Sequence, residues 1–249
     1  MKILVCISNV PDTTTKIKFT DKNTKTDVTG IQWIINPWDE LALTRALELK
    51  EQSAGFVTEV NVISVGGKEV EPTIRKALAI GADKGFRVNA EAKDANGVAF
   101  QLAEAIRKEH HELVLAGIES SDFNGSSVGI MLAEYLNWSS ISSVSGINLE
   151  NGAFNYRREL DGGYEILQAS FPLLAVVQKG IAKEPRIPSM RGVMASRTKP
   201  LAVIEPVAID LLVETIEYEL PSAKATCKKV DPENMKELVA LLHNEAKVI

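Results

Sequence analysis

Ile3 to Ile7 form an unbroken apolar run that stops at Asn9-Val10-Pro11-Asp12. That pattern predicts a strand buried on both faces and leading into a loop. Residues 13–32 are polar and Thr/Lys-rich, with Ile17 and Phe19 alternating against lysines, and read as a surface hairpin or ordered excursion. Pro37 opens a helix to about Lys50, with Asp39 and Glu40 at the positive end of its dipole and Leu41, Leu43 and Leu47 supplying a buried face. Strands follow at Val57–Ser64, Gly85–Val88 and Glu112–Ala116, and helices at Glu69–Ile80, Ala95–Glu109 and from about Ser126 to Leu136. Gly81 is placed to end the second helix in a left-handed cap. This alternation predicts an α/β domain with a parallel sheet covered on both faces.

Beyond Trp138 the texture changes. Ser145–Leu149, Phe154–Glu159 and Tyr164–Ser170 read as β segments joined by Asn151-Gly152 and Asp161-Gly162-Gly163, residues that tolerate positive φ in hairpins. Leu173–Val177 is a further apolar strand. Residues 179–206 read as an irregular loop bearing Pro and Arg. The tail reads as a polar extended arm with one last helix opened near Asp231-Pro232, whose Leu238, Leu241 and Leu242 share a face.

Composition narrows the function classes. The 249 residues are 45% hydrophobic and 24% charged, which excludes disordered, collagen-like and disulfide-framework classes. A chain this long buries roughly 70–75% of its unfolded surface, enough for a core without staples. The net charge of −5 disfavours nucleic acid as a partner, although a local basic segment runs from Arg186 to Lys199. Cys6 and Cys227 form no metal-ligand spacing, and the chain reads as cytoplasmic and reduced. No apolar run approaches the ~20 residues of a membrane span. The opening residues are too short for a signal peptide and lack a small-residue cleavage site.

Candidate chemistry concentrates in three loops after strands: 8–12, 64–67 and 117–128. Ligands of open parallel sheets settle at such carboxyl ends. The Ser/Gly-rich loop 117–129 delivers a helix N-terminus, either as an anion site or simply as a helix capped by Asn124 or Ser126. No G-x-x-x-x-G-K-[ST] or G-x-G-x-x-G occurs. Ser64-Val65-Gly66-Gly67 matches the loop of ATP pyrophosphatases only superficially, since Glu69 and Val70 stand where Asp and Ser are expected. His110 and His111 are expected at a helix C-terminus, where imidazolium suits the dipole, in a structural role. Asp39-Glu40 and Asp161 read as a helix-start pair and a turn residue rather than an acid/base pair. The residues themselves point to a nucleotide-sized site and to no reaction.

Longer motifs carry a resemblance. Val10-Pro11-Asp12-Thr13, Asn36-Pro37 with Asp39-Glu40 and Ala42-Leu43, and Thr73 through Asp83 resemble the β subunit of electron-transfer flavoproteins. So do Arg158-Glu-Leu-Asp161-Gly162-Gly163 with Glu165, Leu167 and Pro172, and Glu184-Pro185-Arg186. The resemblance covers essentially the whole chain. It implies an adenine nucleotide α-hydrolase-like α/β domain over residues 1–206 and an arm over 207–249 that contacts a partner α subunit. It further implies an electron carrier without catalytic residues of its own, with AMP in this subunit and FAD in the α subunit near the interface. Flavin dehydrogenases would dock on the loop 184–197 through Glu184, Met190 and Arg191, without membrane insertion. The compartment would be the cytoplasm, or the mitochondrial matrix in a eukaryote.

Carried over residue by residue, the nucleotide site comprises Cys6, Ser8, Asn36, Ser64, Val65, Gly66, Asp122, Ser126, Ser127, Val128 and Gly129. Ser8-Asn9 departs from the usual Lys-Gln or Lys-Arg, and Ser126-Ser127-Val128 from Asn-Gln-Thr. Val128 and Asp39 resemble residues of bifurcating members, which hold a second FAD here. Phe123, however, stands where those members have Gly. A free-standing adenine-nucleotide sensor is the alternative from another class.

Overall fold

A computed structural model describes residues 1–150, 152–224 and 226–249. Nine strands form one sheet in the order β11-β10-β9-β12-β8-β1-β6-β7-β13. Their ranges are β1 Lys2–Cys6, β6 Glu59–Val65, β7 Lys84–Val88, β8 Leu113–Gly117, β9 Ser139–Glu150, β10 Ala153–Leu160, β11 Gly163–Leu167, β12 Leu173–Val177 and β13 Leu201–Ile204. β1 is central and parallel to both β6 and β8. In this sheet β10 pairs antiparallel with β9 on one side and β11 on the other, as the hairpin signals anticipated. Asn151, part of one of those signals, lies outside the described residues.

Four helices cover the two faces: α1 Pro37–Gln52, α2 Glu71–Ile80, α3 Ala95–Ile106 and α4 Val128–Leu136. The alternation of β1 assigns the faces. Ile3, Val5 and Ile7 join the core under α1 and α2, while Leu4 and Cys6 join the core under α3 and α4. Both faces are therefore apolar, which is why the strand reads as a continuous hydrophobic run. No helix among the described residues is long and apolar enough to cross a membrane.

Several expectations change. Residues 13–32 do contain a hairpin, β3 Phe19–Thr20 with β4 Lys25–Thr26, turning through Asp21, Lys22 and Asn23 at positive φ. Flanking it, β2 Asn9–Pro11 pairs with β5 Trp33–Ile35, a ribbon too short to show as alternation. Gly81 ends α2 at φ 153° and ψ −10°, outside the left-handed basin. A Cβ there would stand 2.9 Å from the Leu47 side chain.

The segment 179–206 is not irregular. It holds α5 Met190–Ser196 and the edge strand β13, which pairs with β7 from Leu201↔Gly85 to Ile204↔Val88. α5 lies on α2 so closely that a Cβ on Gly192 would stand 2.3 Å from the Ala79 carbonyl oxygen. Arg75 donates to the carbonyls of Ser196 and Lys199 at 2.7 Å, and the Lys199 ammonium caps Leu78 and Ala82 at the end of α2. Beyond β13 the one α-helix among the described residues is α6 Met235–Leu241, capped by Asn234 rather than near Asp231-Pro232, and it buries no residue.

α3 ends at Ile106, so neither His110 nor His111 sits on its last turn. His111 is instead buried, 3.0 Å from Asn61 Nδ2 and edge-on to Phe86. Burial lowers its pKa, so the imidazole is neutral rather than the imidazolium anticipated from the dipole.

Candidate functional site

β1, β6 and β7 run outward on one side of the sheet, and β8 returns on the other side of β1, so the strand order reverses there. Loops leaving the carboxyl ends of strands on either side of a reversal diverge and leave a crevice. Here the crevice is a cavity of about 470 Å³, within the ~300–1,000 Å³ of small-molecule sites. Cys6 and Ser8 line it from the end of β1 and the loop after it, Asn36 from the start of α1, and Ser64, Val65 and Gly66 from the end of β6 and its loop. Asp122, Ser126 and Ser127 line it from the β8–α4 loop, and Val128 and Gly129 from the first turn of α4. All eleven residues singled out from the sequence thus meet around one cavity. Burial pushes the Cys6 thiol well above its ordinary range, with the nearby Asp39 carboxylate adding to the effect, so it contributes shape rather than a thiolate.

Two polar side chains hold the loops at fixed separation. Asn36 does not cap α1 with its side chain. Its amide donates to the Glu119 carbonyl at 2.8 Å and accepts the Ser121 N–H at 3.2 Å, tying the start of α1 to the β8–α4 loop. Asp39, one turn further along the same helix face, accepts the Ser8 N–H at 2.8 Å and the Gly117 N–H at 3.0 Å. Its carboxyl is buried, which pushes its pKa up to about 7 against the two backbone donors that pull it down. The sequence pattern cast Asp39 as a dipole residue at a helix start. In the fold it joins the loops after β1 and β8. Its spacing of three from Asn36 is the signal available in the sequence, since such residues share a helix face. Gly117 is required beside it: a Cβ there would lie 2.3 Å from Asp39 Oδ1 and 2.8 Å from Trp38 Cβ.

The end of α4 differs from its counterparts. α1 and α2 carry proline in the first turn, and α3 is capped by Asp94, whose carboxylate accepts the Gly97 N–H. α4 has neither device: Ser127 makes no side-chain capping bond. The first N–H groups of a helix have no partner within it, so an uncapped end beside a cavity favours an anion. Gly129 brings this end close to the sheet, since a Cβ would meet Val176 at 2.8 Å. The loop before it holds Asn124 at φ 50° and Ser126 at φ 48°, left-handed conformations that non-glycine residues adopt at some cost. Neither Asn124 nor Ser126 caps the helix, contrary to the plainer of the two readings. Behind the β6 loop, the buried Arg87 guanidinium donates to the Gly66 carbonyl at 3.1 Å and to Asn89 at 2.7 Å.

A family model for the electron transfer flavoprotein domain matches residues 26–209. Curated relatives named electron transfer flavoprotein subunit beta align along nearly the whole chain. The protein from Syntrophomonas wolfei is 37% identical over 94% of this chain and 91% of its own length. That from Bacillus subtilis is 34% identical over 100% of both, and the human one 32% identical over 97% and 96%. The chain belongs to the electron transfer flavoprotein family, among its β subunits.

Electron transfer flavoprotein β subunits are electron carriers. No histidine lines the cavity among the described residues. Asp39, Glu69, Glu91, Asp94, Glu119 and Asp122 border it, against one cation among the described residues, Lys93, which pairs with Glu91 at 3.3 Å. An anionic ligand would therefore rely on backbone N–H groups. The remaining predicted residues of this family member lie elsewhere. Met190 and Arg191 open α5 and Glu184 precedes it, all away from the cavity. The sequence pattern missed Trp33, the stretch Glu91 to Ala95 and Val98, which complete the cavity wall from chain segments distant in sequence.

Proposed function

We propose that this chain is the β subunit of a heterodimeric electron transfer flavoprotein and holds AMP in the cavity at the carboxyl ends of β1, β6 and β8. The uncapped N-terminus of α4 carries the reading. It turns partnerless N–H groups toward a nucleotide-sized cavity otherwise bordered by carboxylates. The phosphate sits on the backbone N–H groups of Ser127, Val128 and Gly129, and the adenine packs near Cys6 and Val65. The FAD that carries the electrons belongs to the α subunit, near the interface. The deciding measurement is the nucleotide content of the co-expressed complex after denaturation. One FAD and one AMP per heterodimer support the reading. Two FAD overturn the AMP assignment and make the protein a bifurcating member, and a colourless homodimer that hydrolyses ATP overturns the carrier assignment.

In this reading α5 is the element that docks on flavin dehydrogenases. Its Met190 is 80% and Met194 70% exposed, with Ile187 89% exposed just before it. Arg186 ties the stem down: its N–H donates to Thr44 at 3.0 Å and its guanidinium to Glu51 at 2.7 Å. Met190→Ala should weaken dehydrogenase binding by about 1–3 kcal/mol, as for an interface anchor, and leave flavin content unchanged. Unaltered electron transfer from every candidate donor argues against the anchor. Residues 207–249 serve the α subunit, so truncation near Pro221 should abolish pairing while the sheet stays folded. Normal pairing of the truncated chain removes that role.

A further inference from the structure

α3 faces two ways. Val98 and Leu102, one turn apart, line the cavity, as do Asp94 and Ala95 at the start of the helix. On the neighbouring stripe, Asp94, Gly97 and Gln101 are spaced at three and four residues and receive the chain leaving β13. The Gln101 side chain pairs with Val207 as a strand would: its Nε2 donates to the Val207 carbonyl at 2.5 Å and its Oε1 accepts the Val207 N–H at 3.0 Å. Leu211 Cδ2 lies 3.6 Å from where a Cβ on Gly97 would stand, so this side chain packs directly over the first turn of α3. Asp94 Oδ1 caps α3 through the Gly97 N–H at 2.6 Å. Its Oδ2 accepts the N–H groups of Leu212 and Val213 at 2.8 and 3.2 Å. One carboxylate therefore closes a wall of the cavity and holds the outgoing chain.

We propose that Asp94 is a positioning residue that couples occupancy of the cavity to the seating of residues 207–213 on α3. The proposal rests on the reading of the cavity as an AMP site. A ligand packed against Asp94 and Ala95 fixes the first turn of α3, which fixes the acceptor for Leu212 and Val213. By linkage, seating that segment favours the ligand by the same factor. Further along, Tyr218 is anchored independently of α3: its ring stacks on Phe19 at 5.2 Å and its N–H donates to the Asn23 carbonyl at 2.8 Å. The coupling thus acts between β13 and Tyr218, where the chain that continues toward the proposed partner-binding arm departs from the core.

Asp94→Asn separates the two duties of the side chain. Asparagine caps helices as well as aspartate does, so Gly97 keeps its acceptor. Its other terminal atom is an NH₂ donor that opposes the Leu212 and Val213 donors. The test is residue-resolved amide exchange on the full chain stripped of nucleotide, with and without added AMP, beside calorimetric titration of AMP. AMP should slow exchange at Leu212 and Val213 at least ~5-fold, the low end of ordinary couplings. In the variant that slowing should vanish, Gly97 should stay protected, and Tyr218 should exchange as in the wild type. Asp94→Ser, which can still cap but is too short to reach the segment, should behave alike and serves if the first variant does not fold. If AMP binds and Leu212 and Val213 exchange equally with and without it, the coupling is overturned and the AMP site stands. Slowing by AMP that persists in both variants overturns the role of Asp94. Failure of the wild-type chain to bind AMP overturns both readings.

Discussion

At the amino end of the parallel strands, polar groups find one another or are sealed away. Lys2 lies 3.1 Å from Glu59, the Glu112 carboxylate accepts the Lys2 N–H at 2.6 Å, and Lys84 reaches Glu109 at 3.7 Å. His111 is packed neutral behind them with its Nδ1 unpartnered. At the carboxyl end the same strands open into loops held apart by Asn36 and Asp39, and α4 begins without a cap. Unsatisfied polar groups therefore occur at both ends, with different meanings. One enclosed by apolar neighbours is a cost of packing, whereas donors turned into a cavity are a place for a ligand.

Gly117→Ala should have the largest effect, because it forces Asp39 and Trp38 away from β8. It should cost about 1–3 kcal/mol in urea unfolding, as overpacking does, and should abolish binding of the AMP proposed for the cavity. Wild-type stability with retained AMP would show that the carboxyl end is more yielding than its contacts imply.

Asp39 and His111, both buried, should give pH slopes of opposite sign. Asp39 has a folded pKa of about 7, above its ordinary 3.8, so its stabilising contribution is full below about pH 4 and is lost as pH rises through about 7. His111 has a folded pKa below its ordinary 6.5, so its contribution is full above that value and is lost as pH falls through the folded pKa. Each slope is bounded at about 1.4 kcal/mol per pH unit for one proton. Just below pH 6.5 the two slopes oppose each other, so Asp39→Asn should leave stability rising with pH there and His111→Phe should leave it falling, read from unfolding free energies between pH 4 and 8. Identical profiles for the two variants would remove the contrast.

The smallest effect is expected where both charges are partly exposed. Lys2→Ala should cost less than about 1 kcal/mol, and the loss should shrink in high salt. A larger, salt-insensitive loss would mean that the amino end depends on its ion pairs rather than on the strands beneath.

Legibility in the sequence followed the range of the interactions involved. β1, β12 and α1 were readable because a buried strand or an amphipathic helix writes its environment into consecutive residues. The loop 117–129 was readable because its small residues sit between a strand and a helix. α5 and β13 were not: a seven-residue helix and a four-residue edge strand, half exposed, leave little periodicity. His111 looked like a helix-end residue because α3 stops three residues earlier than its pattern suggests, at Ile106 rather than Glu109.

Sequence alone determined the α/β class, the order of the main elements, the family resemblance and the residues that gather at the carboxyl ends. Each of these rests on local periodicity or on contiguous motifs, which the chain carries wherever it lies. Tertiary structure alone decided that Asp39 joins two loops, that α4 starts beside the cavity with neither a side-chain cap nor a first-turn proline, and that Asp94 serves the cavity and the chain beyond β13 together. Those facts depend on backbone N–H groups tens of residues away, at Gly117 for Asp39 and at Leu212 for Asp94. A backbone donor has no signature in the sequence, because every residue except proline has one.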